Sequence, residues 1–150
     1  MNDSMNEKII IKAEEIISNK NLDCVLALID LDGFPTASSI TVLRNEGIKW
    51  LAFSTFFGNN KTNRIEKCNR ASVCFISNDP LLYNITLVGK IEIIMDLHIK
   101  KETWNDDLLK NHFTGYEDPN YCVLKFTTER YNLMIGDEIT GASGKMEEIK

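Results

Sequence analysis

The sequence predicts a mainly β fold, in which antiparallel strands form a small closed barrel flanked by helices. About six stretches rich in β-branched and aromatic residues are separated by short turn signals, such as Asp30-Leu31-Asp32-Gly33 and Asn78-Asp79-Pro80. The regular alternation of strands and helices that is typical of a parallel sheet is absent. Because the 150 residues contain no internal repeat, linker or low-complexity segment, we expect a single domain spanning residues 1–150.

The first half of the chain is predicted to contain two helices and three strands. Ile9, Ala13 and Ile17 follow the spacing of one helical face and place an N-terminal helix within residues 1–20. Aliphatic and β-branched runs predict strands at residues 24–29, 35–43 and 48–55. Short turns between these runs predict a consecutive antiparallel meander. A second, short helix is expected at residues 61–68.

The second half of the chain is predicted to add three strands and one long helix. The strands are expected at residues 71–77, 83–95 and 121–134. Gly89 lies inside the longest strand and predicts a bulge or a close backbone approach. Apolar residues at helical spacing predict one helix at residues 96–113. The glycine-containing, charged tail, residues 137–150, is expected to be mobile.

The charge balance argues against nucleic acid and membranes as partners. The 17 Lys and Arg residues are outnumbered by 22 Asp and Glu residues, which gives a formal net charge of −5. No apolar run approaches the roughly 20 residues that span a bilayer, and the first residues contain no apolar signal core. We therefore expect a cytoplasmic protein. Its cysteines lack metal-ligand spacing and are expected to be free thiols: Cys24, Cys68, Cys74 and Cys122.

The stretch from Phe53 to Ile65 carries the clearest chemical signal in the sequence. Ser54 and Thr55 place two hydroxyls at the end of an apolar strand, and Gly58 opens a turn. Lys61 follows in the first turn of a helix, where free N–H groups and the helix dipole favour an anion. From these residues alone two interpretations stay open: a phosphate cradle, or a strand–loop–helix connection whose charges are simply solvated.

Two further polar segments are candidates for ligand contacts. Ser38, Ser39 and Ile40 belong to an unusually hydroxyl-rich strand, which presents its polar groups either to a flat ligand or to water. Asn84 opens the long fifth strand and either contacts the edge of a ligand or starts a turn.

No catalytic constellation is recognisable in the sequence. Patterns such as Ser–His–Asp, Cys–His or a pair of carboxylates are absent, and His98 and His112 are expected at the surface. Catalytic residues therefore stay unassigned, no metal site is expected, and any redox chemistry is expected to belong to a bound cofactor.

Together these stretches resemble the pyridoxamine 5′-phosphate oxidase-like split-barrel flavoproteins, most closely their bacterial general stress protein branch. The resemblance spans about residues 21–136. Its strongest part is LAFSTFFGNNKTNRIEKCNRASVCF, in which Lys61, Ile65, Asn69 and Val73 follow in the family's order. The strand around Gly89 and the closing segment KFTTERYNLMIGD fit the same pattern. The resemblance implies a six-stranded antiparallel split β-barrel of the FMN-binding type.

The resemblance also implies a homodimer that binds FMN at the interface of its subunits. By motif position, Ser54 and Thr55 would lie beside the ribityl-phosphate, and Lys61 would pair with the phosphate. Asn59 and Asn60 would be loop contacts, at positions where the oxidases proper carry Ser and Arg.

The ring system of the flavin would meet two other segments. The resemblance implies that Ser38, Ser39 and Ile40 line the edge of the isoalloxazine. Asn84 matches a Gln position that reaches the flavin from the partner subunit.

The end of the chain departs from the oxidases proper. Their substrate segment, rich in Arg and His, has no counterpart in DEITGASGKMEEIK, and Met134 replaces a Trp near the end of the last strand. We therefore predict an FMN-dependent oxidoreductase acting on an unknown small molecule, with a possible stress-related role, rather than a true pyridoxamine phosphate oxidase. The alternative is a non-catalytic module that binds flavin, deazaflavin or haem in sensing or storage.

Overall fold

The computed structural model describes residues 3–18, 21–136 and 141–149. Its eight strands are β1 (Asp23–Ile29), β2 (Pro35–Thr41), β3 (Arg44–Glu46), β4 (Trp50–Phe56), β5 (Arg70–Ser77), β6 (Tyr83–Ile94), β7 (Tyr121–Ile135) and β8 (Gly141–Lys145). Its α-helices are α1 (Asp3–Ile17), α2 (Asn60–Lys67), α3 (Leu97–Thr103) and α4 (Asp106–Leu109), and a 3-10 turn follows at Met146–Glu148.

The eight described strands form one antiparallel sheet in the order β2-β1-β5-β6-β7-β4-β3, and β8 also pairs with β7. The inward faces of β1, β5, β6, β7 and β4 enclose the larger of two apolar clusters, so the sheet curls into a half-barrel. Helix α1 packs into this core through Ala13 and Ile17, which are 0% and 1% exposed. The mainly β fold with flanking helices is therefore confirmed, but the described sheet is a half-barrel with edge strands β2 and β3 instead of a closed barrel.

The strand order corrects the predicted meander of the first three strands. β2 pairs only with β1 at one edge of the sheet, whereas β4 pairs with β3 and with β7. The extra strand β3 lies where a turn was expected, because three residues are too few to show a strand periodicity. With β3 and β8 the sheet has eight described strands instead of six.

The bulge predicted at Gly89 is confirmed. The register between β6 and β7 shifts between Val88 and Gly89. A Cβ atom at Gly89 would lie 2.0 Å from the backbone oxygen of Thr127, so only glycine permits this approach of the two backbones.

The predicted helix at 96–113 is instead two short helices, α3 and α4, separated by an extended break at Trp104 and Asn105. The Asn105 side chain accepts a hydrogen bond from the N–H of Leu108 at 3.1 Å and so starts a new helix. The apolar spacing continues through residues 96–113, so it does not show the break. The break arises because the Asn105 side chain bonds a backbone N–H that a continuous helix would pair with a backbone carbonyl.

Both ends of the chain are partly outside the described residues. Helix α1 lies within the predicted range 1–20, but residues 1, 2, 19 and 20 are not described. Residues 137–140 of the predicted mobile tail also lie outside the described residues. Residues 141–145 differ from that prediction, because β8 pairs with β7 and Ala142 is 2% exposed. Among the described helices, none has the length and apolarity needed to cross a membrane.

Candidate functional site

A cleft of about 420 Å³ lies between the end of β2, the end of β4 and the segment around α4. Its volume falls within the range of small-molecule sites, about 300–1,000 Å³. It contains three of the residues singled out by the sequence: Ile40, Ser54 and Thr55. Its lining is Ile40, Thr41, Leu43, Ser54, Thr55, Phe56, Leu108, Leu109, His112 and Phe113. The cleft thus combines apolar walls with three hydroxyl groups.

The loop after β4 is held by a closed set of hydrogen bonds. The side-chain amide of Asn59 donates to the Thr55 hydroxyl at 2.7 Å, and its oxygen accepts from the N–H of Thr62 at 3.1 Å. The hydroxyl of Thr62, which is fully buried, accepts from the N–H of Gly58 at 2.9 Å and donates to the carbonyl of Asn59 at 3.1 Å. Asn59 is therefore the N-cap of α2, and it also ties the cleft wall to that helix.

The start of α2 leaves donors free for an anion. The backbone N–H groups of Asn60 and Lys61 have no acceptor among the residues that the structure describes. The half-buried side chain of Lys61 forms no ion pair within that part of the chain. Two free amides, one cation and the positive end of the helix dipole are the groups that bind a phosphate at a helix start.

The structure divides the candidate residues of β2 between two faces of the sheet. Ser38 and Ile40 lie opposite Leu26 and Cys24 on the side of the core, whereas Ser39 lies opposite Val25 on the outer side. Of the three, only Ile40 lines the cleft. Contacts of the other two with a ligand remain predictions.

Asn84 lies away from the cleft, on the outer face of β6. It is exposed, and its oxygen lies 3.5 Å from the Cys74 thiol. Charged residues border the surrounding surface, with Arg130 opposite Val88 and Arg70 opposite Lys90. The part between them, here called the neutral sheet face, consists of ten uncharged outward side chains. These are Val25, Ala27, Ser72, Cys74, Ile76, Asn84, Thr86, Val88, Asn132 and Met134. A role for Asn84 in the same site as Thr55 therefore requires a second copy of the chain.

Sequence reasoning missed the wall that α4 and the turn after it add to the cleft. Leu108, Leu109, His112 and Phe113 all line it, and His112 is the only titratable side chain of that lining. His112 was expected merely at the surface. One sequence feature could have revealed this wall. Asn105 is a residue type that caps helices, so it indicates that a new helix starts after Trp104.

The buried thiols do not supply a nucleophile to the cleft. Burial raises the pKa of Cys122 to about 11, and burial next to the negative charge of Asp23 raises the pKa of Cys24 to about 12. Neither residue lines the cleft, and all four cysteines are free. Within the described residues, no group of three or more His, Cys, Asp or Glu side chains is arranged to hold a metal ion.

The fold is a curled antiparallel half-barrel with helices at its rim, and a helix start with free N–H groups adjoins a hydroxyl-lined cleft. This architecture is that of a split-barrel protein. A model of the pyridoxamine 5′-phosphate oxidase family matches residues 11–135. The chain belongs to the pyridoxamine 5′-phosphate oxidase family.

Solved structures share this fold over nearly the whole chain. One is a Clostridium acetobutylicum protein described as related to general stress protein 26 of B. subtilis, with 26% sequence identity and a TM-score of 0.82; the match covers 96% of this chain and 99% of that one. No curated protein sequence matches the chain significantly.

Two more distant structures have names that mention a ligand. An FMN-binding, pyridoxamine 5′-phosphate oxidase-related protein from Nostoc punctiforme is 12% identical, with a TM-score of 0.63 and coverage of 93% of this chain and 94% of that one. A heme-binding protein from Mycobacterium smegmatis is 18% identical, with a TM-score of 0.71 and coverage of 98% and 60%. At these identities the likeness shows the fold alone.

Proposed function

We propose that this protein is a cytoplasmic homodimeric flavoprotein that binds FMN and acts as an oxidoreductase on a small molecule, in a stress-related role. The observation that carries the proposal is the hydrogen bond between Thr55 and Asn59. It links the wall of the 420 Å³ cleft to the start of α2, where the N–H groups of Asn60 and Lys61 and the charge of Lys61 have no partner within the described part of the chain. A ligand with a flat body and a phosphate arm matches this pair of features.

The described residues fit FMN in kind. Lys61 and the N–H groups of Asn60 and Lys61 would hold the phosphate, and Ser54 and Thr55 would hold the polar chain. Ile40, Leu109 and Phe113 offer apolar surface for one side of the ring. Asn59 is occupied by its own chain and would act by orienting Thr55. When bound, FMN would supply hydride or electron transfer.

A second copy of the chain would complete the site, and the neutral sheet face supports this part of the proposal. Ile76 and Met134 on that face are 68% and 43% exposed, and their neighbours are small and uncharged. Depletion of charge at the centre of an exposed patch is typical of protein interfaces. A partner seated there would bring Asn84 to the interface.

A second candidate function is a non-catalytic module that binds flavin, deazaflavin or haem for sensing or storage. It is favoured by the lining of the cleft, where His112 is the only titratable side chain. His112, which is exposed, is therefore the one lining residue that could act as a general acid or base in a redox reaction. The heme-binding protein with the same fold supports testing haem as well.

The first experiment is a visible absorption spectrum of the protein after addition of FMN and removal of the excess. Retained flavin bands are expected. A colourless protein would contradict FMN binding, and the same procedure with a deazaflavin and with haem would then follow. Reduction of retained flavin by NADH or NADPH would favour the oxidoreductase, whereas absence of turnover over a panel of reductants would favour the module.

Lys61→Ala tests the phosphate contact itself. We expect FMN affinity to fall by about 1.5–3 kcal/mol, because a charge-assisted hydrogen bond is lost. The matched control is Lys12→Ala, which removes an exposed lysine from α1. Equal affinities in the two variants would remove Lys61 from the site.

A further inference from the structure

Lys100 is the one charged side chain that is buried among the described residues. It lies on α3, is 3% exposed and forms no ion pair within that part of the chain. Lysine is almost never fully buried unless it is paired, because taking an ammonium out of water is costly. An apolar side chain of the same length would fill the space at lower cost, so the ammonium itself requires an explanation.

The ammonium of Lys100 holds the segment that leads from the cleft to β7. Its Nζ donates a hydrogen bond to the backbone carbonyl of Asp118 at 2.9 Å and lies 5.3 Å from the centre of the Tyr121 ring. The Tyr121 hydroxyl in turn donates to the carbonyl of Lys100 at 3.0 Å. The carbonyl oxygen and the face of the aromatic ring thus replace part of the water that the ammonium has lost.

The side chain of Asp118 extends this restraint to the residue that follows the cleft wall. One carboxylate oxygen accepts from the N–H of Thr114 at 2.9 Å and from its hydroxyl at 3.3 Å, and the other accepts from the N–H of Asn120 at 2.9 Å. These bonds, above all those from the two N–H groups, lower the pKa of the Asp118 carboxyl, and the charge of Lys100 acts in the same direction. Thr114 directly follows Phe113, which lines the 420 Å³ cleft.

The Phe113 ring is fixed between the cleft and Tyr121. Its centre lies 4.6 Å from that of Phe56, another lining residue, and 5.2 Å from that of Tyr121. Phe113 is 6% exposed, and Tyr121 is fully buried. Lys100 therefore reaches this ring by two routes, one through Asp118 and the other through Tyr121.

We propose that Lys100 is a positioning residue of the candidate site. Its ammonium fixes residues 114–118 and the Tyr121 ring, and together these set the place of Phe113 in the wall that faces the ring system of FMN. This role rests on the proposed function, because it assigns Phe113 a contact with the flavin. Lys100 does not line the cleft, so it acts only through these residues.

The arrangement predicts that Lys100 affects binding more than stability. Lys100→Met removes the ammonium and keeps the length of the side chain. The Asp118 carbonyl still accepts from the N–H of Tyr121 at 3.0 Å, so no buried acceptor loses its last partner. Because replacing a buried charged group by a well-packed apolar one is often neutral or stabilising, the free energy of unfolding should not fall.

Exchange of backbone amide hydrogens tests the restraint without any ligand. In Lys100→Met the N–H of Thr114 should exchange about tenfold faster or more, because Asp118 is held less firmly, while the amides between β5 and β6 keep their wild-type rates. Lys49→Met, which replaces an exposed lysine, should match wild type at all these positions. An unchanged rate at Thr114 overturns the proposal. A clear fall of the urea midpoint also overturns it, because Lys100 would then be a stabilising residue.

Titration with FMN tests the effect on the site. We expect the affinity of Lys100→Met to be about tenfold lower than that of wild type and of Lys49→Met, since the wall is no longer held in place before binding. In a Phe113→Leu background the same substitution should cost little more, because Lys100 acts through Phe113. Equal affinities of Lys100→Met and wild type, or fully additive losses in the double variant, overturn the proposal.

The two measurements separate the role of Lys100 from the identity of the cofactor. If wild type retains no FMN, the flavin proposal fails, and the exchange rate at Thr114 alone decides whether Lys100 positions the wall. If wild type and Lys100→Met retain FMN equally well, the flavin proposal stands and the positioning role fails.

Discussion

The side-chain amide of Asn59 lies 2.7 Å from the hydroxyl of Thr55 and joins two parts of the candidate site. One is the hydroxyl-lined cleft, and the other is the start of α2 with its free N–H groups. Because the same Asn59 caps the helix, one residue links the geometry of the cleft to that of the proposed phosphate-binding helix start.

Asn59→Ala is expected to destabilise the protein by about 1 kcal/mol and to weaken FMN binding, since the cap and the bond to Thr55 are both lost. Asn59→Ser keeps a capping oxygen but has no amide to reach Thr55, so stability should largely return while affinity stays reduced. Urea unfolding and FMN titration measure the two effects. Asn63→Ala, on the exposed side of α2, serves as the control. If Asn59→Ser bound FMN with the affinity of wild type, the hydrogen bond from Asn59 to Thr55 would not be required for FMN binding.

Ile76→Arg tests the neutral sheet face. The side chain is 68% exposed in a single chain, so folding should be unaffected, but a charge at the centre of an interface is costly when it is desolvated. We expect a monomer by light scattering and loss of FMN retention. Ile11→Arg, an exposed apolar position on α1 at 54%, should remain dimeric. A dimeric Ile76→Arg protein, or a monomeric wild type, would contradict the proposed interface.

Gly89→Ala tests the bulge between β6 and β7. The added Cβ would lie 2.0 Å from the carbonyl oxygen of Thr127, and a backbone atom in a sheet has little freedom to move away. We expect a loss of about 1–3 kcal/mol or more in the free energy of unfolding. Gly115→Ala is the matched control, because no atom lies within 4 Å of its Cβ position. Similar midpoints for both variants in urea would argue against the close approach.

Stability is expected to fall in alkali because of the buried thiols. In the folded protein the pKa of Cys24 is about 12 and that of Cys122 about 11, whereas the ordinary value is 9.0. Above pH 9 the thiols ionise in the unfolded chain but not in the folded protein, so unfolding releases protons. The contribution of the buried, protonated thiols to the free energy of unfolding is therefore fully present below pH 9 and is lost as the pH rises toward 11–12. Burial also raises the pKa of Tyr121, which acts in the same direction.

Replacing both thiols by valine separates their effect from that of Tyr121. Between about pH 8 and about pH 10, the free energy of unfolding should fall further in wild type than in the Cys24→Val, Cys122→Val protein. The expected difference is roughly 1 kcal/mol for each buried thiol. Urea unfolding at the two pH values gives the comparison. Parallel losses in the two proteins would mean that other groups control the alkaline transition.

The residues of the candidate site could be singled out from the sequence because their signals are local. The hydroxyls of Ser54 and Thr55, the turn at Gly58 and the cation at Lys61 lie within eight consecutive residues, where strand, turn and helix preferences act over a few bonds. The role of Asn59 as the N-cap of α2 was missed. An asparagine can either cap a helix or contact a ligand, and the sequence does not distinguish the two roles.

The sequence by itself determined the mainly β class, the start of α2, the glycine bulge and the family, since each depends on composition or on short-range order. Only the tertiary structure decided that β4 pairs with β7 instead of β2, that Ser38 and Ser39 face opposite sides, that His112 lines the cleft and that Lys100 is buried. These relations join residues far apart in the chain, and the free energy of such contacts comes from burying whole faces of strands together. No local pattern records which distant strand supplies the other face.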